Sequence, residues 1–267
     1  MKMLKVAFLG SGNMAMALAK GFISSKMVLP ENIWASGPHK RNHVEFEKLG
    51  CKTTINNIEA VKNSNTIFLS VKPKFIEPVL QEIKNSIITD SLIISIATGI
   101  KTDTMHKIIP NEKVIRAMPN ICALNHLSTT AICTAQKINQ DEMEAITKLF
   151  DSVGYTEFVD EDKMDVITAL CGSGPAFVFT IIEAMADGAV RMGLSRESAI
   201  KMSANTVYGA AKTLMINGKH PAVLRDSVCS PAGTSIEGLK ALEEHNLRNT
   251  LMCAIEIATK RASDLSK

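Results

Sequence analysis

The chain has 267 residues, with 30 Lys and Arg against 27 Asp and Glu, and a formal net charge of +3. That length allows a sizeable core in one or two domains, and the mild charge, without basic runs interleaved with aromatics, argues against nucleic acid as a partner. The six cysteines form no CxxC pair and no histidine stands at metal-ligand spacing, so no metal site or disulfide framework is expected and a reducing, cytoplasmic interior is.

The first predicted strand is LKVAFL, residues 4–9. Lysines precede this apolar stretch, but glycine, serine and asparagine interrupt it where a signal peptide's apolar core would continue, so export is not expected. The interruption has another reading. Gly10, Gly12 and Ala15 make a GxGxxA spacing between a strand and a helical stretch: Gly10 permits the tight turn, Gly12 lets backbone approach a pyrophosphate, and Ala15 lets the helix pack closely on the sheet. The second strand, NIWAS, ends in Ser36 and Gly37, followed by His39, Lys40 and Arg41. An NAD-preferring site would carry an acid here; a hydroxyl and cations suit a 2'-phosphate instead, so NADPH is expected, with NADH as the alternative.

Further strands are predicted at TIFLSV (66–71), LIISIA (92–97), VIRAM (114–118) and TTAIC (129–133), with helical patterns between them. This alternation implies an α/β Rossmann domain with a predominantly parallel sheet over residues 1–159, binding its ligand at the carboxyl ends of the strands. Ser70 to Pro73 and Ala97 to Gly99 stand at two such ends, and Asn120, closing RAMPN at a third, is a candidate neighbour of the nicotinamide.

After Glu161 the strand signal stops. Residues 160–267 read as an all-α domain, with breaks at residues 172–175, Gly193, 218–221 and 231–233. No apolar run is expected to reach the roughly 20 residues that span a bilayer. Residues 176–190 are apolar nearly all round, with only Glu183 and Asp187 charged, which fits either a subunit interface or a central core helix.

Taken together, FLGSGNMAMALAKGF, SVKP, RAMPN, GSGPAF and SPAGTSIEGL resemble, in order and separation, the 1-pyrroline-5-carboxylate reductase family, and the resemblance covers essentially the whole chain. It implies reduction of that cyclic imine to L-proline, the last step of proline biosynthesis, with NADPH or NADH. It also implies a helical domain through which two subunits interlock, and larger assemblies of dimers. Cofactor contacts are implied at Leu9, Gly10, Ser11, Gly12, Asn13 and Met14, at Ser36 and Gly37, at Asn57, at Ser70, Val71, Lys72 and Pro73, and at Ile96, Ala97 and Thr98; Lys40 and Arg41 join them for the 2'-phosphate. Substrate contacts are implied at Gly172, Ser173, Gly174 and Pro175, and at Ser230, Gly233, Thr234 and Ser235.

An iminium is already electrophilic, so the site needs placement more than an acid or a nucleophile. Ser235 is the first choice for the hydroxyl beside the imine nitrogen and Thr234 the second, while amides around Gly233 suit the substrate carboxylate. Thr234 and Glu237 also have the spacing of a capping box, GSGPA that of a helix start with proline near N1, and His220 before Pro221 that of a structural histidine. The chain departs from the family at Ser235, where threonine is usual, at Ala232, the first of a usual glycine pair, and at Ile121, Cys122, Cys171 and Ser227. Two other readings stay open: a reductase of another cyclic imine or keto acid, and a non-catalytic NADPH-binding regulatory protein.

Overall fold

The computed structural model describes residues 4–134 and 138–265. One eight-stranded sheet runs in the order β3-β2-β1-β4-β5-β6-β7-β8. Its strands are β1 (Val6–Leu9), β2 (Ile33–Ser36), β3 (Lys52–Thr54), β4 (Thr66–Leu69), β5 (Leu92–Ser95), β6 (Lys113–Met118), β7 (Ser128–Thr134) and β8 (Gly154–Phe158). Every neighbouring pair is parallel except β6 and β7, which run antiparallel. The predominantly parallel sheet expected from the sequence is present. Strands buried on both faces must be apolar at successive positions, as VAFL and TIFL are.

Two strands escaped the sequence reading. β3 is three residues, Lys-Thr-Thr, on one edge; β8, Gly-Tyr-Thr-Glu-Phe, is the other edge and has no buried residue. Edge strands lack a packed face on which alternation would show. Helices α1 (Asn13–Ser24), α2 (Lys40–Lys48), α3 (Asn57–Lys62), α4 (Ile76–Ile83), α5 (Thr102–His106) and α6 (Gln140–Asp151) connect the strands. One face of the sheet buries Phe8, Phe22, Phe46, Phe68 and Phe150; the other buries Leu9, Leu69, Ile76, Leu80 and Met105. The Phe8 and Phe68 rings stack with centroids 5.0 Å apart.

After β8 come a 3-10 turn (Glu161–Lys163), α7 (Met164–Ile167), a π-helical turn (Thr168–Gly172), α8 (Gly174–Arg191), α9 (Arg196–Asn217), α10 (Pro221–Ser227), α11 (Thr234–Glu244) and α12 (Leu247–Leu265). By compactness the chain divides into Gly174–Ile255 and the remainder, to which the end of α12 belongs. By that measure α7 stays with the sheet, on which it packs: Met164 is fully buried with Met118, Ala131 and Cys133.

The expectation that no apolar run could span a bilayer needs correction. The helical stretch Glu161–Arg191 contains an 18-residue window of mean hydropathy 1.6, apolar and long enough to cross a membrane by length and composition. Helical structure on both sides of Ser173 joins segments that the sequence reading had separated at Gly172 and Pro175. Only 11% of that window is buried. Within Gly174–Ile255 only Ala186, Ala199 and Ser203 are buried, while Phe179 is 60%, Met192 85% and Met215 77% exposed. These helices have no core of their own in a single copy, which removes the central core helix as a reading of residues 176–190.

Candidate functional site

The parallel register aligns Leu9, Ser36, Leu69 and Ser95 in one row at the carboxyl edge of the sheet. β1 lies between β2 and β4, so the chain reverses its direction of travel across the sheet there, the point where open α/β sheets bind ligands. Gly10 follows β1 at φ +106°, and a Cβ on it would fall 2.7 Å from the Ser70 carbonyl. The Ser70 hydroxyl donates to the Gly10 carbonyl at 2.7 Å, and the Gly10 N–H donates to the Ser36 carbonyl at 2.9 Å. Three strand ends are thereby tied to one turn.

Gly12 is the N-cap of α1, with no side-chain cap and no acidic residue in the first turn. A Cβ on Gly12 would meet nothing within 4 Å. The turn therefore presents bare backbone, and the N–H groups of the helix start, to its open side. These features fit a pyrophosphate, for which the helix dipole and free amides are favourable.

Around this turn the expected residues divide into two kinds. Ser36 is fully buried and its hydroxyl donates to Asn57 Oδ1 at 2.6 Å; the Asn57 amide in turn donates to Glu82 at 2.8 Å. Both side chains are committed to holding β2 against α3. Lys40 and Arg41 open α2, exposed, on a helix start with neither a side-chain cap nor an acid in its first turn. Lys72 is exposed before a 3-10 turn at Pro73–Phe75, and Val71 is half-buried. Ile96, Ala97 and Thr98 follow β5; the Ile96 N–H donates to the Leu69 carbonyl and the Ala97 N–H to the Ser95 hydroxyl.

Asn120 is buried, and its side chain is occupied. The amide donates to the Cys171 carbonyl at 2.9 Å, and its oxygen accepts from the Cys122 N–H at 3.0 Å. It therefore braces the π-helical turn that leads to Gly172 and Ser173. Cys122 and Cys171 flank this brace, and burial pushes both thiols up, with Glu157 adding to the effect at Cys171. Neither is an activated nucleophile.

The second group of expected residues lies before α11. Ser230 to Gly233 form a turn closed by the Gly233 N–H donating to the Ser230 carbonyl at 3.0 Å. A Cβ on Gly233 would fall 2.3 Å from Ser230 Oγ, so a larger residue there would have to turn the Ser230 hydroxyl away. Ala232 stands at φ +56°, in the left-handed region. Gly233 is the N-cap of α11 and no side chain caps the helix. The capping-box alternative for Thr234 thus fails by one position: Thr234 is already helical. Thr234 and Ser235 are exposed in the first turn beside the helix-start amides. His220 is structural as read, its Nδ1 accepting from the Ala222 N–H at 3.2 Å as the N-cap of α10.

Sequence reasoning passed over Arg116, although it lies inside the quoted RAMPN. It is 1% exposed and faces Glu161 at 3.5 Å and Asp165 at 3.6 Å. An arginine in the middle of an otherwise apolar buried strand was the available signal, since such a charge needs partners elsewhere in the chain. Among the described residues no group of three or more histidines, cysteines and carboxylates could hold a metal ion.

Comparison with known proteins matches residues 161–265 to the family described as pyrroline-5-carboxylate reductase dimerisation, and residues 5–99 to NADP oxidoreductase coenzyme F420-dependent. A pyrroline-5-carboxylate reductase of Methanosarcina acetivorans is 40% identical over 265 residues, covering 98% of each chain. Among solved structures, the pyrroline carboxylate reductase of Plasmodium falciparum with NADP bound superposes with a TM-score of 0.92 at 28% identity, and the pyrroline-5-carboxylate reductase of Coxiella burnetii with 0.89 at 32%; both cover 100% of each chain.

Proposed function

The chain belongs to the pyrroline-5-carboxylate reductase family, and we propose that it reduces 1-pyrroline-5-carboxylate to L-proline, the last step of proline biosynthesis, with NADPH as reductant. The observation that carries this reading is 40% identity to such a reductase over 98% of both chains, spanning the sheet and the helices alike.

We assign the cofactor to the turn at Leu9 to Met14, with Ser70 to Pro73 and Ile96 to Thr98 beside it. Gly12's bare face and the uncapped start of α1 support that assignment. Lys40 and Arg41 take the 2'-phosphate through charge-assisted hydrogen bonds, which favours NADPH over NADH. Ser36 and Asn57 shape the floor of this end through their mutual hydrogen bond. Asn120 acts by bracing residues 171–173 rather than by a free side chain.

When bound, the reduced nicotinamide supplies a hydride to the imine carbon. The chain's own residues hold the other parts of the substrate. The amides just after Gly233, those of Thr234 and Ser235, receive the carboxylate at the start of α11, where the helix dipole favours an anion. The Ser235 hydroxyl orients the imine nitrogen and assists proton delivery, with Thr234 in the second place. Gly172 to Pro175 and Ser230 line the substrate. The pyrroline nitrogen can be protonated near neutral pH, so no side chain has to act as a strong acid.

The helices from Glu161 onward form the homodimer contact, consistent with the dimerisation family that they match and with their exposed apolar surface. We extend this to a cytoplasmic enzyme whose dimers associate further and whose apolar helices meet protein rather than lipid. The test is steady-state turnover of the purified chain with pyrroline carboxylate and NADPH or NADH, beside a six-membered cyclic imine and a keto acid, with mass measured by light scattering. Turnover of the five-membered imine, faster with NADPH, is expected. A large preference for another substrate would replace the assignment. Tight NADPH binding without turnover would favour a regulatory protein, and a detergent-dependent monomer would overturn the interface.

A further inference from the structure

Arg116 is the largest side chain among those fully buried, and its strand neighbours are Ser95 on β5 and Cys133 on β7. Its guanidinium meets two carboxylates. Nη1 donates to Glu161 Oε1 at 3.5 Å, and Nη2 lies 3.6 Å from Asp165 Oδ1. Glu161 is itself held: its two oxygens accept from the backbone N–H of Thr102 at 2.8 Å and from the Thr102 hydroxyl at 2.6 Å. One ion-pair cluster thus joins β6, the start of α5 and the start of the segment 161–172.

β6 and the residues just after it hold that segment through positions 116, 118 and 120. Arg116 meets Glu161 and Asp165 at its beginning, Met118 packs on Met164 between those two, and Asn120 binds the Cys171 carbonyl at its end. Between the first and last grip the chain passes from a 3-10 turn through α7 into the π-helical turn Thr168–Gly172, closed by the Ser173 N–H donating to the Thr168 carbonyl at 2.9 Å. A π turn is intrinsically unfavourable and recurs where a functional backbone has to be re-aimed.

Simple adhesion of α7 to the sheet would need only apolar packing, and a buried charge is a costly way to obtain it. What the charge adds is geometry. Glu161 and Asp165 are four residues apart, so one guanidinium between them fixes both the rotation and the advance of the helical segment relative to β6. An error in either would be carried through five π-helical residues to Gly172 and Ser173.

We propose that Arg116 is a positioning residue for the reduction: by clamping Glu161 and Asp165 it sets the path of the π turn that presents residues 172–175. This rests on the assignment of that turn to the substrate. Arg116 itself touches neither cofactor nor substrate; it acts through the segment.

The experiment uses the full-length protein carrying Arg116→Met, which keeps length and removes charge, and Asp165→Asn, which removes one partner and is half-buried rather than buried. Four quantities are read: the steady-state constants for pyrroline carboxylate, NADPH affinity by fluorescence titration, the melting temperature, and amide exchange of residues 168–175. Both variants should lower kcat/KM for the imine about tenfold or more, the scale of a small misplacement of reacting groups, with NADPH affinity changed less than about twofold. Exchange at 168–175 should quicken in both, and their combined effect should fall short of the product of the single effects. Unchanged imine kinetics with unchanged exchange would overturn the proposal. So would parallel losses of melting temperature, NADPH affinity and imine kinetics in Asp165→Asn, the mark of a merely structural tie. Should Arg116→Met fail to fold, Asp165→Asn carries the same readings. Should the wild-type protein not turn over pyrroline carboxylate, the functional assignment fails, while the exchange data still decide whether Arg116 sets the turn.

Discussion

Replacing Ala232 with glycine should make the protein more stable. Ala232 lies at φ +56° in the turn before α11, at a position where the family usually carries the first of two glycines. An L-residue with a Cβ pays about 1–2 kcal/mol in the left-handed region, because the Cβ crowds the following carbonyl. Glycine removes that strain but gains freedom in the unfolded chain, which offsets about 0.5–1 kcal/mol. The difference favours Ala232→Gly by about 0.5–1 kcal/mol per protomer. The hydrogen bond that closes the turn, from the Gly233 N–H to the Ser230 carbonyl, involves neither the Ala232 methyl nor its N–H and is retained. For a chain of this size the gain corresponds to about 1–3 °C in melting temperature. Thermal unfolding of both proteins at one fixed protomer concentration is the assay, because a dimer's midpoint moves with concentration. A midpoint that stays or falls would refute the argument, since it would mean that the Ala232 backbone is not strained or that its methyl makes a contact worth as much as the strain.

Three other outcomes are expected. Ser235→Ala should lower kcat by about tenfold or more while NADPH affinity stays nearly constant, and a large loss of cofactor binding would remove Ser235 from the substrate side. Arg41→Asp should raise the KM for NADPH by about tenfold and leave NADH almost unaffected, since only the 2'-phosphate meets the new charge; equal effects would exclude Arg41 from that contact. Burial pushes the Cys51 thiol up to about 11 and Cys133 to about 12, the latter helped by Glu161. Both thiols are raised above the unfolded value of about 8.5, so the stability tied to their protonated form is whole below that pH and is lost as pH rises towards the folded values. Urea unfolding should therefore weaken above pH 9 by about 1 kcal/mol per thiol per pH unit, and the Cys51→Ala, Cys133→Ala double variant should flatten that slope. An unchanged slope would show that other groups govern the alkaline limb.

The parts of the molecule that the sequence disclosed are those with a local physical signature. Six strands announced themselves as short apolar runs because both their faces are covered, and the glycine turn after β1 did so because Gly10 stands at φ +106°, where few other residues fit, and Gly12 leaves the backbone bare. β3 and β8 carry no such mark: an edge strand such as Lys-Thr-Thr is specified by the neighbour it pairs with. The same holds for side-chain roles. That Ser36 would spend its hydroxyl on Asn57, or Asn120 its amide on Cys171, depends on residues 21 and 51 positions away and leaves no periodicity to read. The capping-box spacing of Thr234 and Glu237 was real as a pattern, yet Gly233 starts the helix one residue earlier, because its bond to Ser230 closes the preceding turn.

The stretch Glu161–Arg191 is the instructive misreading, because its surroundings decide what its composition leaves open. A helix apolar nearly all round can be covered by its own subunit, by lipid or by another copy. Its own subunit does not cover it, since only 11% of the apolar window is buried. Lipid would have to accept Glu183 and Asp187 in the last part of the stretch, at about 2.5–3.5 kcal/mol for an acid near a bilayer centre. Asp187 instead pairs with Arg196 on α9. The exposed apolar surface also extends well beyond one helix, to Met202 and Met215 on α9, Val223 on α10 and Met252 on α12. A single membrane span would leave those groups in water. A second copy presenting the same helices would cover them together, supply hydrogen-bonding groups where the charges lie, and provide the core that Ala186, Ala199 and Ser203 alone cannot make. The surface that composition presents as a candidate span is thus best explained as half of a dimer core.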